Sequence, residues 1–468
     1  MTGRWRWSGR GGAAWGDPGG GRRLRDRFVR RPGAGRRVAR PLVAGLLAFQ
    51  VLCGCAAVGL PGGGPDAEHR SVTALLDRWA KALRDRDERA FLSVVDPDAE
   101  GFRTEQRALF ANLAAVPLAS WDYRLVRTGG FVPSGGDGHR VAAEAELRYR
   151  LADYDTVPVT TTARFTVVRK DDQWYVAAED TRHGPRQLWQ QGPVTAVRGA
   201  HSLVLGVGQD QARLKALADL ADSAVPAVST AWGSGRTAPG TAPPKSGGTA
   251  GATVRRGGDW PGRVVVEMPA SVDRMAELLD SPVANYRGIA AVTTGEVGGS
   301  GNAPADRIIV NPEAYGTLGD FGRRVVLTHE TAHVATRSLT SAATPLWLSE
   351  GFADWTAYRG TGRTAAQAAP ELARAVAEGK PPKDLPADAD FGFAGEQGRL
   401  ARAYEEGWLA CRMIAEHWGE AKLVAFYRAV GGHQRRPGAL AAALHQVLGV
   451  SEDGFTQRWR AYVASRFG

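Results

Sequence analysis

The sequence predicts an α+β protein with more than one folding unit. Three observations carry this. Residues 71–116 repeat apolar side chains at helical spacing, and residues 121–178 then alternate as strands. Residues 200–310 alternate strand and helix patterns, whereas 320–467 show helical patterns alone. At 468 residues the chain is also too long for one ordinary core.

The first forty residues hold twelve arginines and two aspartates, which equals the whole net charge of +10. The rest is near neutral, so no basic patch remains for nucleic acid. An uncharged apolar run, 41–52, follows the arginines. Together they read as the head and core of a secretion signal. The run ends in Leu52-Cys53-Gly54-Cys55, which resembles the bacterial lipobox. That implies lipid attachment at Cys55, with residues 1–55 as signal and anchor and the protein held on the outer face of the cytoplasmic membrane. The alternative is a single uncleaved N-terminal transmembrane helix over 41–60. Either way the arginines stay inside. Residues 56–70, rich in Gly and Pro, read as a tether. Cys411 is the one other cysteine; it lies in an apolar run and reads as a buried small hydrophobe.

Val72, Leu75, Leu76, Trp79 and Leu83 share one helical face, and 91–95 and 107–116 continue in helix. Strands follow at 121–127, 141–149, 157–168 and 173–178, with Lys170-Asp171-Asp172 as a hairpin turn. Helices followed by a meander resemble the NTF2-like cone fold. This implies a module over 71–185, serving as a spacer or for partner binding. After a polar stretch come a strand at 201–207 and a helix at 212–224. Gly206 and Gly208 hint at a dinucleotide loop, but Gln211 stands where a third glycine is needed. Residues 234–258 read as a flexible loop. Strands resume at 264–268, 289–293 and 307–310, with a helix at 272–279 among them. A helix over 321–338, capped by Asp320, precedes helical segments at 364–377, 400–418, 421–430, 440–448 and 454–467.

The capped helix carries His329-Glu330-Thr331-Ala332-His333. Side chains four apart share a helix face, so His329 and His333 can reach one metal ion. Glu330 sits about 100° further round. It is off the metal but within reach of a bound water, as a general base requires. Glu350 is the candidate third ligand. It lies in Trp347-Leu-Ser-Glu-Gly-Phe-Ala-Asp354, a helix that Thr344 can cap and Pro345 can start. Asp354 shares the face of Glu350 and suits the task of holding a ligand histidine's other nitrogen. Two nitrogens and a carboxylate oxygen, with water in the fourth place, favour one zinc ion.

H-E-x-x-H followed by W-L-x-E-G-F-A resembles the gluzincin metallopeptidases, in particular the peptidase-MA-like group related to M1 aminopeptidases and thermolysin. The resemblance implies zinc ligation by His329, His333 and Glu350, with Glu330 as catalytic base and Asp354 as the orienting carboxylate. It implies a two-lobed domain over 200–468, α/β then all-helical, with zinc between the lobes. It implies a substrate strand at Arg307, Ile308, Ile309, Val310 and Asn311, pairing with peptide backbone. It implies an oxyanion donor as well, at Tyr404 as in M1 relatives or at His433 as in thermolysin-like ones. The G-x-M-E-N segment that grips a free amino terminus in M1 enzymes is not found, so an endopeptidase acting on peptide or protein is expected. The rival expectation is a cell-envelope lipoprotein whose peptidase-like domain binds without cleaving.

Overall fold

The computed structural model describes residues 3–6, 65–135, 139–182, 184–233, 260–294, 306–392 and 398–468. Cys55, the apolar run at 41–60 and the expected loop 234–258 fall outside them. Among the described residues no helix is long and apolar enough to cross a membrane. The fold is mixed α and β, with two sheets and an all-helical C-terminal region. Residues 3–6, within the segment expected as a signal, form strand β1 (Gly3–Arg6).

Helix α1 (Pro65–Arg84) starts inside the expected tether, so residues 65–70 are helix instead. A proline at the first turn forfeits no helical hydrogen bond, and Asp66 and Glu68 complement the helix's positive end. The apolar stripe predicted from Val72 to Leu83 is the buried one. Then come α2 (Glu88–Ser93) and α3 (Glu100–Asn112). A four-stranded antiparallel meander follows: β2 (Leu118–Thr128), β3 (His139–Leu151), β4 (Val159–Lys170) and β5 (Gln173–Glu179). Asp171 and Asp172 take φ of 46° and 61°, the left-handed pair a tight hairpin needs between β4 and β5. Trp79 of α1 stacks between Phe91 and Tyr123, at 5.4 and 5.3 Å between ring centres.

The second sheet contains β6 (Val194–Arg198), β7 (Ser202–Val207), β8 (Val264–Met268), β9 (Ile289–Thr293) and β10 (Ile308–Val310). Its order is β1-β9-β10-β8-β7-β6. β7, β8 and β10 run parallel, while β6, β9 and β1 lie antiparallel to their neighbours. Every residue of β7, β8 and β9 is buried, as in a sheet covered on both faces. One face, with Val204, Val266 and Ile308, packs under α4 (Gln211–Gly233) and α7 (Asp320–Thr336). The other, with Leu203, Leu205, Val265 and Ile309, joins α5 (Val272–Leu278) and the aromatic residues Trp121, Tyr149 and Trp189. The N-terminal module therefore shares a core with the sheet and is not a detached spacer.

The predicted substrate strand is corrected here. β10 is interior, bonded to β8 on one side and β9 on the other, so it has no edge to offer. Arg307 turns away to chelate Asp155 of the first module, at 2.8 and 2.7 Å. Asn311 caps the short helix α6 (Pro312–Gly316). The outer strand on this side is β1, paired to β9.

The helical region comprises α8 (Leu346–Tyr358), α9 (Ala365–Ala368), α10 (Pro370–Ala377), α11 (Arg399–Trp418), α12 (Glu420–Gly431), α13 (Ala439–Ala443) and α14 (Glu452–Phe467). Pro370 splits the predicted 364–377 helix in two, because a proline cannot continue the preceding turn. Two caps also differ from expectation. Gly319 takes the cap position of α7, and Asp320 is its first helical residue, making no cap bond. For α8, the Leu346 N–H donates to Asp388, while Thr344 Oγ1 accepts from Ser341.

Candidate metal centre

α7 and α8 lie against each other and bring the motif residues together. His329 Nε2 and His333 Nε2 are 3.1 Å apart, and both face Glu350 Oε2, at 3.3 and 3.2 Å. Ligand atoms of a tetrahedral site with bonds of about 2.0–2.1 Å stand roughly 3.3 Å apart. The triangle thus already has the edge length of a zinc-type site. All three side chains are buried, with exposures of 0%, 6% and 4%.

The protonation pattern fits a cation. His329 Nδ1 donates to Asp354 Oδ1 at 2.7 Å, which orients the ring with Nε2 toward the cluster. Burial opposes a charged His329, yet Asp354, Glu350 and Glu330 push its pKa up to about 10. Burial likewise opposes the Glu350 carboxylate, but His333 and His329 hold it at about 2. The pocket as a whole therefore attracts positive charge. The residues present fit a divalent metal, and His329, His333 and Glu350 would hold it.

Glu330 is fully buried, and burial raises its pKa against the pull of His329, His333 and Thr293. Its Oε2 accepts from the Thr293 hydroxyl at 2.6 Å, while Oε1 has no partner among the described residues. Tyr404 arrives from α11 with its ring 6.3 Å from that of His329 and 5.2 Å from Phe391. Burial, then Glu350, Asp354 and Glu330, push the Tyr404 hydroxyl well above its ordinary pKa, so it stays a proton donor. The other oxyanion candidate, His433, is exposed, and its backbone carbonyl accepts from Ser341. Phe391 ends a single 3-10 turn, Asp388–Phe391.

Sequence reasoning missed two neighbours. Thr293 ends β9, and no spacing links it to a helix 37 positions on. Asp306 and Arg337 form a buried pair, and Arg337 also donates to the Thr294 carbonyl. Burial pushes Asp306 up to about 6 despite Arg337 and His333. Two isolated charges of opposite sign leave no local pattern to read.

No family model matches the sequence, and no curated protein does. Among solved structures, a presumptive aromatic ring hydroxylase from Novosphingobium aromaticivorans is 21% identical. The match covers 25% of this chain and 88% of that one, with a TM-score of 0.20. A likeness so slight carries no argument about fold or activity.

Proposed function

We propose that this chain is a zinc-dependent peptidase of the gluzincin, peptidase-MA-like kind, acting on peptide or protein substrates at the outer face of a bacterial membrane. The observation that carries this reading is the convergence of His329, His333 and Glu350 beside a buried Glu330 with one unpartnered oxygen. Held there, zinc would supply a Lewis acid and a water that ionises near neutral pH. Glu330 takes the proton of the attacking water and returns it to the leaving amine. Tyr404 donates to the oxyanion that develops on the peptide carbonyl. Asp354 keeps His329 in the ligating tautomer.

The same reading treats residues 71–185 as an NTF2-like module, on the strength of helices followed by a four-stranded meander. It moves the substrate strand from 307–311 to β9, the strand whose outer side carries β1. Extended peptide adds to such an edge through backbone hydrogen bonds. Processing at Cys55 would remove Gly3–Arg6 and free that edge. The anchor itself stands or falls with acylation of Cys55.

The test is metal analysis together with cleavage of a denatured protein. Wild type should hold about one zinc, and Glu330→Gln should keep it while losing roughly 100-fold or more in kcat, the range for a general base. A zinc-loaded wild type no faster than Glu330→Gln would make this a binding protein instead.

A further inference from the structure

The general base needs more than its place on α7. Its backbone is fixed by the helix, and the neighbouring His329 is tied to Asp354. The Glu330 side chain still has free torsions, and a buried carboxylate without donors is costly. One contact from outside the helix settles it. Thr293 Oγ1 lies 2.6 Å from Glu330 Oε2 and 3.2 Å from the Glu330 carbonyl oxygen. The one hydroxyl proton goes to the carboxylate, the nearer acceptor, with the backbone carbonyl of the same residue close beside it. Thr293 is itself immobile, with 0% exposure and β-ladder pairing to Ile308.

We infer that Thr293 is the positioning residue of the general base: its hydroxyl pins Glu330 Oε2 and leaves Oε1 as the proton-accepting oxygen. This rests on the peptidase reading above and adds a residue that no motif contains. Threonine suits the role because a hydroxyl donates a single bond and a β-branched side chain has few χ1 rotamers. A stronger donor such as lysine would neutralise the base. An apolar residue would leave both oxygens unheld. The inference also gives β9 a second duty: the strand that this reading assigns to substrate sets the catalytic carboxylate from its end.

The test compares Thr293→Val, which keeps volume and loses the hydroxyl, with Thr293→Ser, which keeps the hydroxyl. Thr293→Val should bind zinc as wild type does, keep KM within about threefold and lose about 10- to 100-fold in kcat, part of the general-base contribution. Thr293→Ser should stay within about threefold of wild type in kcat. Crystal structures of both variants give a readout independent of turnover: the Glu330 carboxylate should move in Thr293→Val and stay in Thr293→Ser. An unmoved carboxylate in Thr293→Val, undiminished kcat there, or equal losses in the two variants would overturn the assignment. If Thr293→Val does not fold, Thr293→Ala replaces it with the same expectations. A wild type no faster than Glu330→Gln would sink the peptidase reading alone, and the carboxylate positions would then decide the role of Thr293.

Discussion

Glu179 shows how a single half-buried group can contribute to the molecule's pH response. It ends β5, near Glu105 and within electrostatic reach of the Tyr123 hydroxyl. Burial, with repulsion from Glu105 and against attraction by Arg186, pushes its pKa from 4.5 up to about 7. A folded-state value above the free one means that the protonated form favours the fold. This contribution is complete below pH 4.5 and is lost as the pH rises through 7. Urea melts should therefore show the wild type losing stability over that window, by no more than about 3 kcal/mol at 1.36 kcal/mol per unit. Glu179→Gln should flatten the slope, the remainder coming from other raised carboxyls such as Asp306, and be the more stable protein at pH 8. Identical pH profiles for the two would refute the account. The glutamate's identity was plain from the sequence. Its environment was not, since Glu105 and Arg186 come from distant turns of chain.

Among the elements, the crossing of α8 and α11 does most to build the metal centre. α8 carries Glu350 and Asp354, and α11 carries Tyr404. The two helices touch backbone to backbone at a pair of glycines. A Cβ on Gly351 would lie 2.2 Å from the Gly407 carbonyl oxygen, and one on Gly407 would lie 2.7 Å from that of Trp347. No side chain is there to yield, so the helices themselves would have to part. Gly351→Ala should cost about 1–3 kcal/mol, as overpacking does, and, on the proposed peptidase reading, should weaken zinc binding by shifting Glu350. Thermal melts with and without zinc check both effects. A variant that melts and loads as wild type does would show that the contact is slack. The Glu-Gly pair is visible in the sequence as part of a motif, but its packing reason is not, because Gly407 lies in another helix.

At the scale of the whole molecule, the first module is bound to the sheet by more than apolar contact. Arg307 and Asp155 form a two-bond ion pair with side-chain exposures of 6% and 1%, and Glu267 stands 3.6 Å from the same guanidinium. Tyr154 and Arg263 add bonds across the same seam. Breaking one side of a buried pair leaves an unpaired charge, so Asp155→Ala should cost about 3–5 kcal/mol. The triple change Asp155→Leu, Glu267→Leu and Arg307→Met should cost less than the single one, because it leaves no orphan charge. Denaturant melts of the three proteins decide this, and a single variant as stable as wild type would show the seam to be incidental. By itself, the sequence determined the order of helices and strands, the turn at Asp171-Asp172 and the residues of the metal triangle. Each of these rests on spacing within a few turns of chain, where period and capping chemistry act locally. Only the tertiary structure decided that β10 is interior, that Arg307 serves the module seam, and that Thr293 holds Glu330. Those outcomes depend on which strand lies beside which, a matter of covering both faces of one sheet, and no short stretch of sequence encodes it.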